Sequence, residues 1–330
     1  SIAAFWEGRL TRAAHSLMIL AMEKATPGGD PIQFIADVHF GKLARWLISQ
    51  GAGQVHACLE ATGQYGDGVA EYLYQAGHMV SVVNPARIKR YGDSKLHRNK
   101  TDKADAALIA EFCRKEHPAL WTPLPAYLKQ LRQMVRRLED LQANYQQEHN
   151  RLSSGISDTW VVEDITDHLK ELSKRIKALQ KAIFQVIADT AELKEQFDLL
   201  LTIPGIGKLT AARLLAEMGD IACFEDAPQL AAYAGLNPKG FRSGSSVHKK
   251  TRISKEGRAL LRHILYMPAI VACKHNPIIH TFCDRLAQRG LPKMAIVAAA
   301  MRKLLHLVFG ILKHKQPFDP NYLLQPSFTS

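Results

Sequence analysis

The chain has 330 residues, 47% of them hydrophobic and 22% charged, a balance that suits roughly two or three folded domains and excludes a disordered or collagen-like chain. Lys and Arg number 43 against 31 Asp and Glu, and the formal net charge of +12 points to a polyanionic partner such as nucleic acid. No apolar stretch in the sequence reads as long enough to span a bilayer, and Ser16 to Met22 is a poor secretion signal because Glu23-Lys24 follows it directly. The five cysteines (Cys58, Cys113, Cys223, Cys273, Cys283) are scattered without a CxxC pair, which reads as reduced, buried thiols in a cytosolic protein.

Strand-like and helix-like runs alternate over the first part of the chain. Pro31 to Ala36 and Val55 to Leu59 read as strands, Gly41 to Gln50 as a helix, and Val69 to Gln75 as a helix ended by Gly77. His78 to Val83 is a β-rich run stopped by Asn84-Pro85, and Thr101 is an acceptable cap for a helix reaching Glu116. This alternation predicts an α/β layer domain over residues 1–125. The spacing of Ile165, Leu169, Leu172, Ile176, Leu179, Ile183 and Val186 is that of a coiled-coil seam, and Leu128, Leu131, Val135, Leu138, Leu141 and Tyr145 form an earlier stripe. Residues 126–197 are therefore expected as a helical hairpin or an intermolecular coiled coil turning near Ser153-Ser154-Gly155; two amphipathic helices packed on their own domain are the alternative. Residues 198–330 read as helical with short loops and strongly basic. Trp46, Trp121 and Trp160 are expected to pack.

Asp102 and Asp105 stand three apart at the start of a predicted helix and so share a face, while Glu60 ends a predicted strand. Carboxylates that converge repel one another unless a cation lies between them, and all-oxygen ligation favours a hard ion such as Mg²⁺. With the basic charge, the expected substrate is a nucleic-acid phosphodiester.

A second group lies in Ile203-Pro204-Gly205-Ile206-Gly207-Lys208, which reads as a helix, a glycine turn and a second helix whose first N–H groups could hold a phosphate. The pattern is that of a helix-hairpin-helix DNA-binding motif; a plain helical corner is the alternative. Gly235 to Arg258 reads as a flexible loop in which Arg242, Lys249, Lys250, Arg252, Lys255 and Arg258 neutralise phosphates. Its serines are phosphate hydrogen-bond donors or, if one is activated, a nucleophile.

Taken in order, Leu59-Glu60-Ala61-Thr62-Gly63, Val83-Asn84-Pro85, Arg98 to Ala106, Ile203 to Gly207 and the loop from Ala234 to Lys255 resemble the DEDD transposases of the insertion-sequence 110 family, the bridge-RNA-guided recombinases. The resemblance implies a RuvC-like, ribonuclease-H-type first domain (1–125), a coiled-coil assembly domain (126–197) and a mostly helical transposase domain (198–330). It implies that Glu60, Asp102 and Asp105 hold Mg²⁺ and that the nucleophile is Ser243, with Ser245 next in line. The family's first aspartate, on its opening strand, has no match: Ser1 to Arg12 holds no such strand, Asp30 and Asp37 lie too near Glu60, and Glu7 has the wrong context.

The function expected is DNA cutting and rejoining with Ser243 as nucleophile, the double-stranded DNA being chosen by a structured guide RNA. The carboxylates and Ser243 lie in different domains and would meet by domain folding-over or across subunits; the coiled coil supports the second route and the resemblance favours it, as a dimer or tetramer. The protein is expected in the bacterial cytoplasm, on the nucleoid when bound to DNA. The alternatives are a junction-resolving nuclease that uses water, and a relative that binds nucleic acid without cleaving it.

Overall fold

A computed structural model describes residues 18–24, 31–36, 40–49, 53–61, 64–94, 102–243 and 247–321. They belong to two compact units, 1–123 and 124–330. The first contains β1 (Met18–Lys24), β2 (Pro31–Ala36), α1 (Phe40–Ser49), β3 (Val55–Glu60), α2 (Gln64–Gln75), β4 (Met79–Val83), α3 (Pro85–Ser94) and α4 (Asp102–Glu116). Its sheet runs in the order β2-β1-β3-β4. β1 is antiparallel to both β2 and β3, and β3 is parallel to β4. The strand at Met18–Lys24 takes up an apolar run for which no element is expected from the sequence.

Period-two alternation in β3 sorts its side chains between two cores. Val55, Ala57 and Leu59 pack with Leu43 and Leu47 of α1 and Val69, Ala70 and Leu73 of α2. Cys58 points the other way, among Val83, Ile88, Ile109, Phe112 and Cys113. Burial on both faces makes β3 an interior strand, and it delivers its last residue, Glu60, to the same face as Cys58, the α4 side.

The second unit contains α5 (Ala126–Leu152), α6 (Thr159–Asp189), α7 (Ala191–Leu201), α8 (Lys208–Met218), a 3-10 turn (Ile221–Cys223), α9 (Ala227–Tyr233), β5 (Pro238–Ser243), β6 (Val247–Ile253), α10 (Ala259–His275), α11 (Pro277–Gln288) and α12 (Lys293–His314). α5 and α6 fold back on one another, burying Leu128, Leu131, Val135, Leu138 and Leu141 against Ile165, Leu169, Leu172, Ile183 and Ile187. Within one chain the segment forms a helical hairpin. Gly155, with φ of +89°, turns the chain, and the Asp158 carboxylate caps α6 by accepting from the Val161 N–H at 3.0 Å. The base of this hairpin merges with α7, α8, α10 and α12, so segments 126–197 and 198–330 share one hydrophobic core. Trp160 is 73% exposed at the start of α6 and does not pack as expected.

Two further expectations need correcting. α12 is long and apolar enough to cross a membrane by length and composition. Its Ala300, Met301, Leu304, Leu305, Val308, Phe309 and Leu312 are instead buried in the core of the second unit, which is why the helix is apolar on more than one side. The loop expected between Gly235 and Arg258 contains an antiparallel β-hairpin, β5–β6, paired from Pro238↔Ile253 to Ser243↔Val247 with an irregularity between Lys239 and Phe241. Val247, Thr251 and Ile253 supply β-branched residues at alternate positions, a pattern masked by the basic residues between them.

Candidate active site

Glu60 sits at the carboxyl end of β3, half-buried. Asp105 lies in the first turn of α4, four residues before Ile109 and eight before Cys113, the stripe that packs on the sheet beside Cys58. The two carboxylates therefore lie at the same end of the β3–α4 contact, near enough for the Asp105 charge to act on Glu60. Burial pushes the Glu60 carboxyl above the ordinary glutamate range, and the charge of Asp105 pushes it further in the same direction. Asp102 opens α4, but its side chain lies outside those described. Among the described residues, no group of three or more His, Cys, Asp or Glu gathers as a complete cation site. The pair nonetheless suits a divalent ion, because a cation placed between Glu60 and Asp105 offsets the burial and the repulsion that hold Glu60 toward its neutral form. Residues 1–17, 25–30 and 37–39, which include Glu7, Asp30 and Asp37, lie outside the described residues.

In the second unit, α7 and α8 are joined by a tight turn. Gly205 has φ of +106°, and a Cβ there would lie 3.0 Å from the Ala272 Cβ and 3.1 Å from both the Ala272 N and the Pro268 O of α10. The Asn276 side chain, fully buried, donates from Nδ2 to the Pro204 carbonyl at 3.3 Å. One side of the turn is thus seated on α10. The other side is open: a Cβ added to Gly207, the residue before α8, would meet nothing within 4 Å, and both Gly207 and Lys208 are exposed. The first N–H groups of α8 consequently point away from the core with no side-chain cap.

Ser243 is the last residue of β5, opposite Val247, and Arg242 pairs with His248. Lys249, Lys250 and Arg252 lie along β6. The side chains of Arg242, Ser243, Lys249, Lys250 and Arg252, and the whole of Ser245, lie outside the described residues. Lys255 is exposed, with φ of +55°, and its N–H donates to the Gly235 carbonyl at 3.1 Å. Lys239 Nζ meets Glu256 Oε1 at 2.8 Å across the foot of the hairpin.

That foot is anchored by residues that do not stand out in the sequence. Glu217 of α8 is 1% exposed. Its Oε1 accepts from Arg136 Nε at 3.3 Å and its Oε2 from Arg258 Nη1 at 3.4 Å. The Arg258 guanidinium also lies 5.2 Å from the Tyr233 ring centre, and its backbone N–H donates to the Tyr233 carbonyl. Arg132 Nε donates to the Ala216 carbonyl at 2.8 Å, and burial lowers the Arg132 pKa. Arg262 Nη1 bridges the carbonyls of Ala234 and Gly257. Arg258, expected on the phosphate-binding surface, is thus engaged with Glu217 and Tyr233. A signal for this anchor exists in the sequence: Glu217 interrupts the apolar run Leu214-Leu215-Ala216-Glu217-Met218, and Arg132 and Arg136 stand four apart on α5.

Residues 34–161 match an IS110-type DEDD transposase family, and residues 197–284 match the family described as Transposase IS116/IS110/IS902. A pilin gene-inverting protein of Moraxella bovis is 36% identical over 283 residues, which is 85% of this chain and 87% of the relative. The chain belongs to the IS110 transposase family. The pilin gene-inverting protein of Moraxella lacunata shows the same identity and coverage. An insertion element IS110 protein of 43.6 kDa from Streptomyces coelicolor is 28% identical over 46% of this chain and 36% of the relative. Membership makes the chain a transposase or recombinase, an enzyme class that cuts and rejoins DNA.

Proposed function

We propose that this protein is a DNA recombinase in which Glu60, Asp102 and Asp105 hold a divalent ion, Mg²⁺, and Ser243 is the nucleophile. The observation that carries the reading is the placement of Glu60 and Asp105 at one end of the β3–α4 contact, where burial and the charge of Asp105 shift Glu60 toward its neutral form. The mixed sheet with an acidic strand end beside an acidic helix start supports a RuvC-like, ribonuclease-H-type first unit. When bound, the ion supplies positive charge beside the scissile phosphate. The Ser243 hydroxyl attacks phosphorus and loses its proton, and the bond from phosphorus to the leaving strand breaks. The resulting phosphoserine keeps the bond energy, and the hydroxyl of a new strand reverses the step.

The open N-terminus of α8, with Gly207 and Lys208, holds a backbone phosphate in the manner of a helix-hairpin-helix, as supported by its exposure and lack of a cap. Arg242, Lys249, Lys250, Arg252 and Lys255 neutralise further phosphates along and beside β5–β6; Arg258 holds the base of that hairpin. The substrate is double-stranded DNA, selected through a structured guide RNA, and the acting form is a homo-oligomer, a dimer or tetramer assembled through the α5–α6 hairpin as a coiled coil. The working place is the bacterial cytoplasm, at the nucleoid. The names of the Moraxella relatives support inversion of a DNA segment as the outcome.

The test is incubation of the purified protein with DNA carrying its element ends, the guide RNA and Mg²⁺. A covalent protein–DNA adduct that maps to Ser243 and disappears in Ser243→Ala is expected. Cleavage that persists in Ser243→Ala without an adduct would instead identify a nuclease that uses water.

A further inference from the structure

We infer that Cys273 and Cys283 form a reversible disulfide, a redox modification site that couples α10 to α11 when the protein meets a peroxide. Cys273 lies in the last turns of α10 and Cys283 in the middle of α11, and a single residue, Asn276, joins the two helices. Their sulfurs are 2.7 Å apart, and both are free thiols. A disulfide bond is about 2.0 Å long, so closure requires a movement of less than an ångström.

The surroundings hold the pair in place. Asn276 Oδ1 accepts from the N–H groups of Ile278 at 3.1 Å and Ile279 at 3.2 Å, fixing where α11 starts. His280 Nδ1 donates to the Cys273 carbonyl at 2.8 Å, and its Nε2 stands 3.3 Å from Asp284 Oδ2. These bonds clamp the first turn of α11 to the end of α10, so the sulfurs meet without rearrangement of the chain.

The two thiols differ in access. Cys273 is half-buried and reachable, whereas Cys283 is buried. Burial, aided by the hydrogen bond with Cys273, pushes the Cys283 thiol up to about 12. Cys273 therefore reacts first. Its sulfur attacks one oxygen of hydrogen peroxide, the O–O bond breaks and water leaves, giving a sulfenic acid. The Cys283 sulfur then attacks the Cys273 sulfur, an S–S bond forms, and the hydroxyl departs with the Cys283 proton as a second water. Two thiols are oxidised and the peroxide is reduced. The crosslink closes the corner around Asn276, the residue that holds Pro204 in the glycine turn, so oxidation stiffens the platform beneath that turn.

The test treats the full chain with hydrogen peroxide, quenches in acid, alkylates the remaining thiols and maps peptides without reductant. A mass loss of about 2 Da, a peptide joining Cys273 to Cys283, and reversal by dithiothreitol are expected. The linked peptide should be absent in Cys273→Ser, a substitution at the more accessible site, and in Cys283→Ala. The wild-type result decides the matter should Cys283→Ala fail to fold. Sulfinic or sulfonic acid at Cys273 with Cys283 still alkylatable, or both thiols unchanged after peroxide, would overturn the inference.

Discussion

Gly205 and Gly207 stand two residues apart in one turn, and the structure expects opposite outcomes from giving each a methyl group. At Gly205 the backbone has φ of +106° and the new Cβ would press on the Ala272 side chain and on the backbone of α10 at 3.0–3.1 Å. Backbone strain of this kind costs about 1–3 kcal/mol, and forcing a methyl into a packed contact costs about as much again, so Gly205→Ala should destabilise the second unit by about 2–6 kcal/mol. At Gly207 φ is −90° and the space around the new methyl is empty. Alanine at that cap position should cost only about 0.5–1 kcal/mol. Urea unfolding of the full chain followed by far-UV circular dichroism reads the difference in the transition of the helical second unit, since two units need not unfold together. The ranking is the essential result. A Gly205→Ala protein within about 1 kcal/mol of wild type, or equal losses in both variants, would refute the seating of the turn on α10.

Other outcomes follow from the same geometry. Glu217→Ala leaves Arg136 and Arg258 without their shared buried carboxylate and should cost about 3 kcal/mol, the low end for a broken buried pair because both guanidinium groups reach some solvent; an unchanged urea midpoint would remove Glu217 as the anchor of the β5–β6 foot. Glu60, raised above its unfolded value, favours the folded state when protonated, so its contribution is fully present below the unfolded glutamate pKa and is lost as pH rises through the raised folded value. In metal-free buffer Glu60→Gln should therefore melt higher than wild type at neutral pH, with the gap closing in acid; a lower midpoint at neutral pH would show that the carboxylate is not strained. Lys208→Ala should weaken binding of any duplex similarly and reduce the slope of log affinity against log salt by about one, whereas an unchanged slope would place phosphate elsewhere.

The sequence was most readable where side-chain period and local chemistry agree. β2 and β4 lie where β-rich, apolar runs stood, α4 begins one residue after the expected Thr101 cap, and the α5–α6 turn falls at Ser153-Ser154-Gly155. The sheet face of Glu60 follows from alternation alone once β3 is known to be interior. β1 escaped because Met18 to Met22 is a continuous apolar run without polar alternation, although Pro27-Gly28-Gly29-Asp30 follows it as a turn signal. The β5–β6 hairpin escaped because Lys and Arg fill the positions between Val247, Thr251 and Ile253, so basic composition outweighed the alternation. α12 is apolar over a membrane's length because several of its faces meet other helices of the second unit, and Arg302-Lys303 break that run in the sequence. Glu217 was missed for a similar reason: its partners Arg136 and Arg258 are distant in sequence, and only the fold brings them to one carboxylate.

The claim on which the account rests is that Glu60 and Asp105 act as one cation site. Calorimetric titration of Mg²⁺ into the metal-free full chain tests it directly. Saturable binding by wild type is expected, weakened at least tenfold, about 1.4 kcal/mol, in both Glu60→Gln and Asp105→Asn. Binding unaltered by either substitution, or no saturable uptake by the wild-type chain, would contradict it.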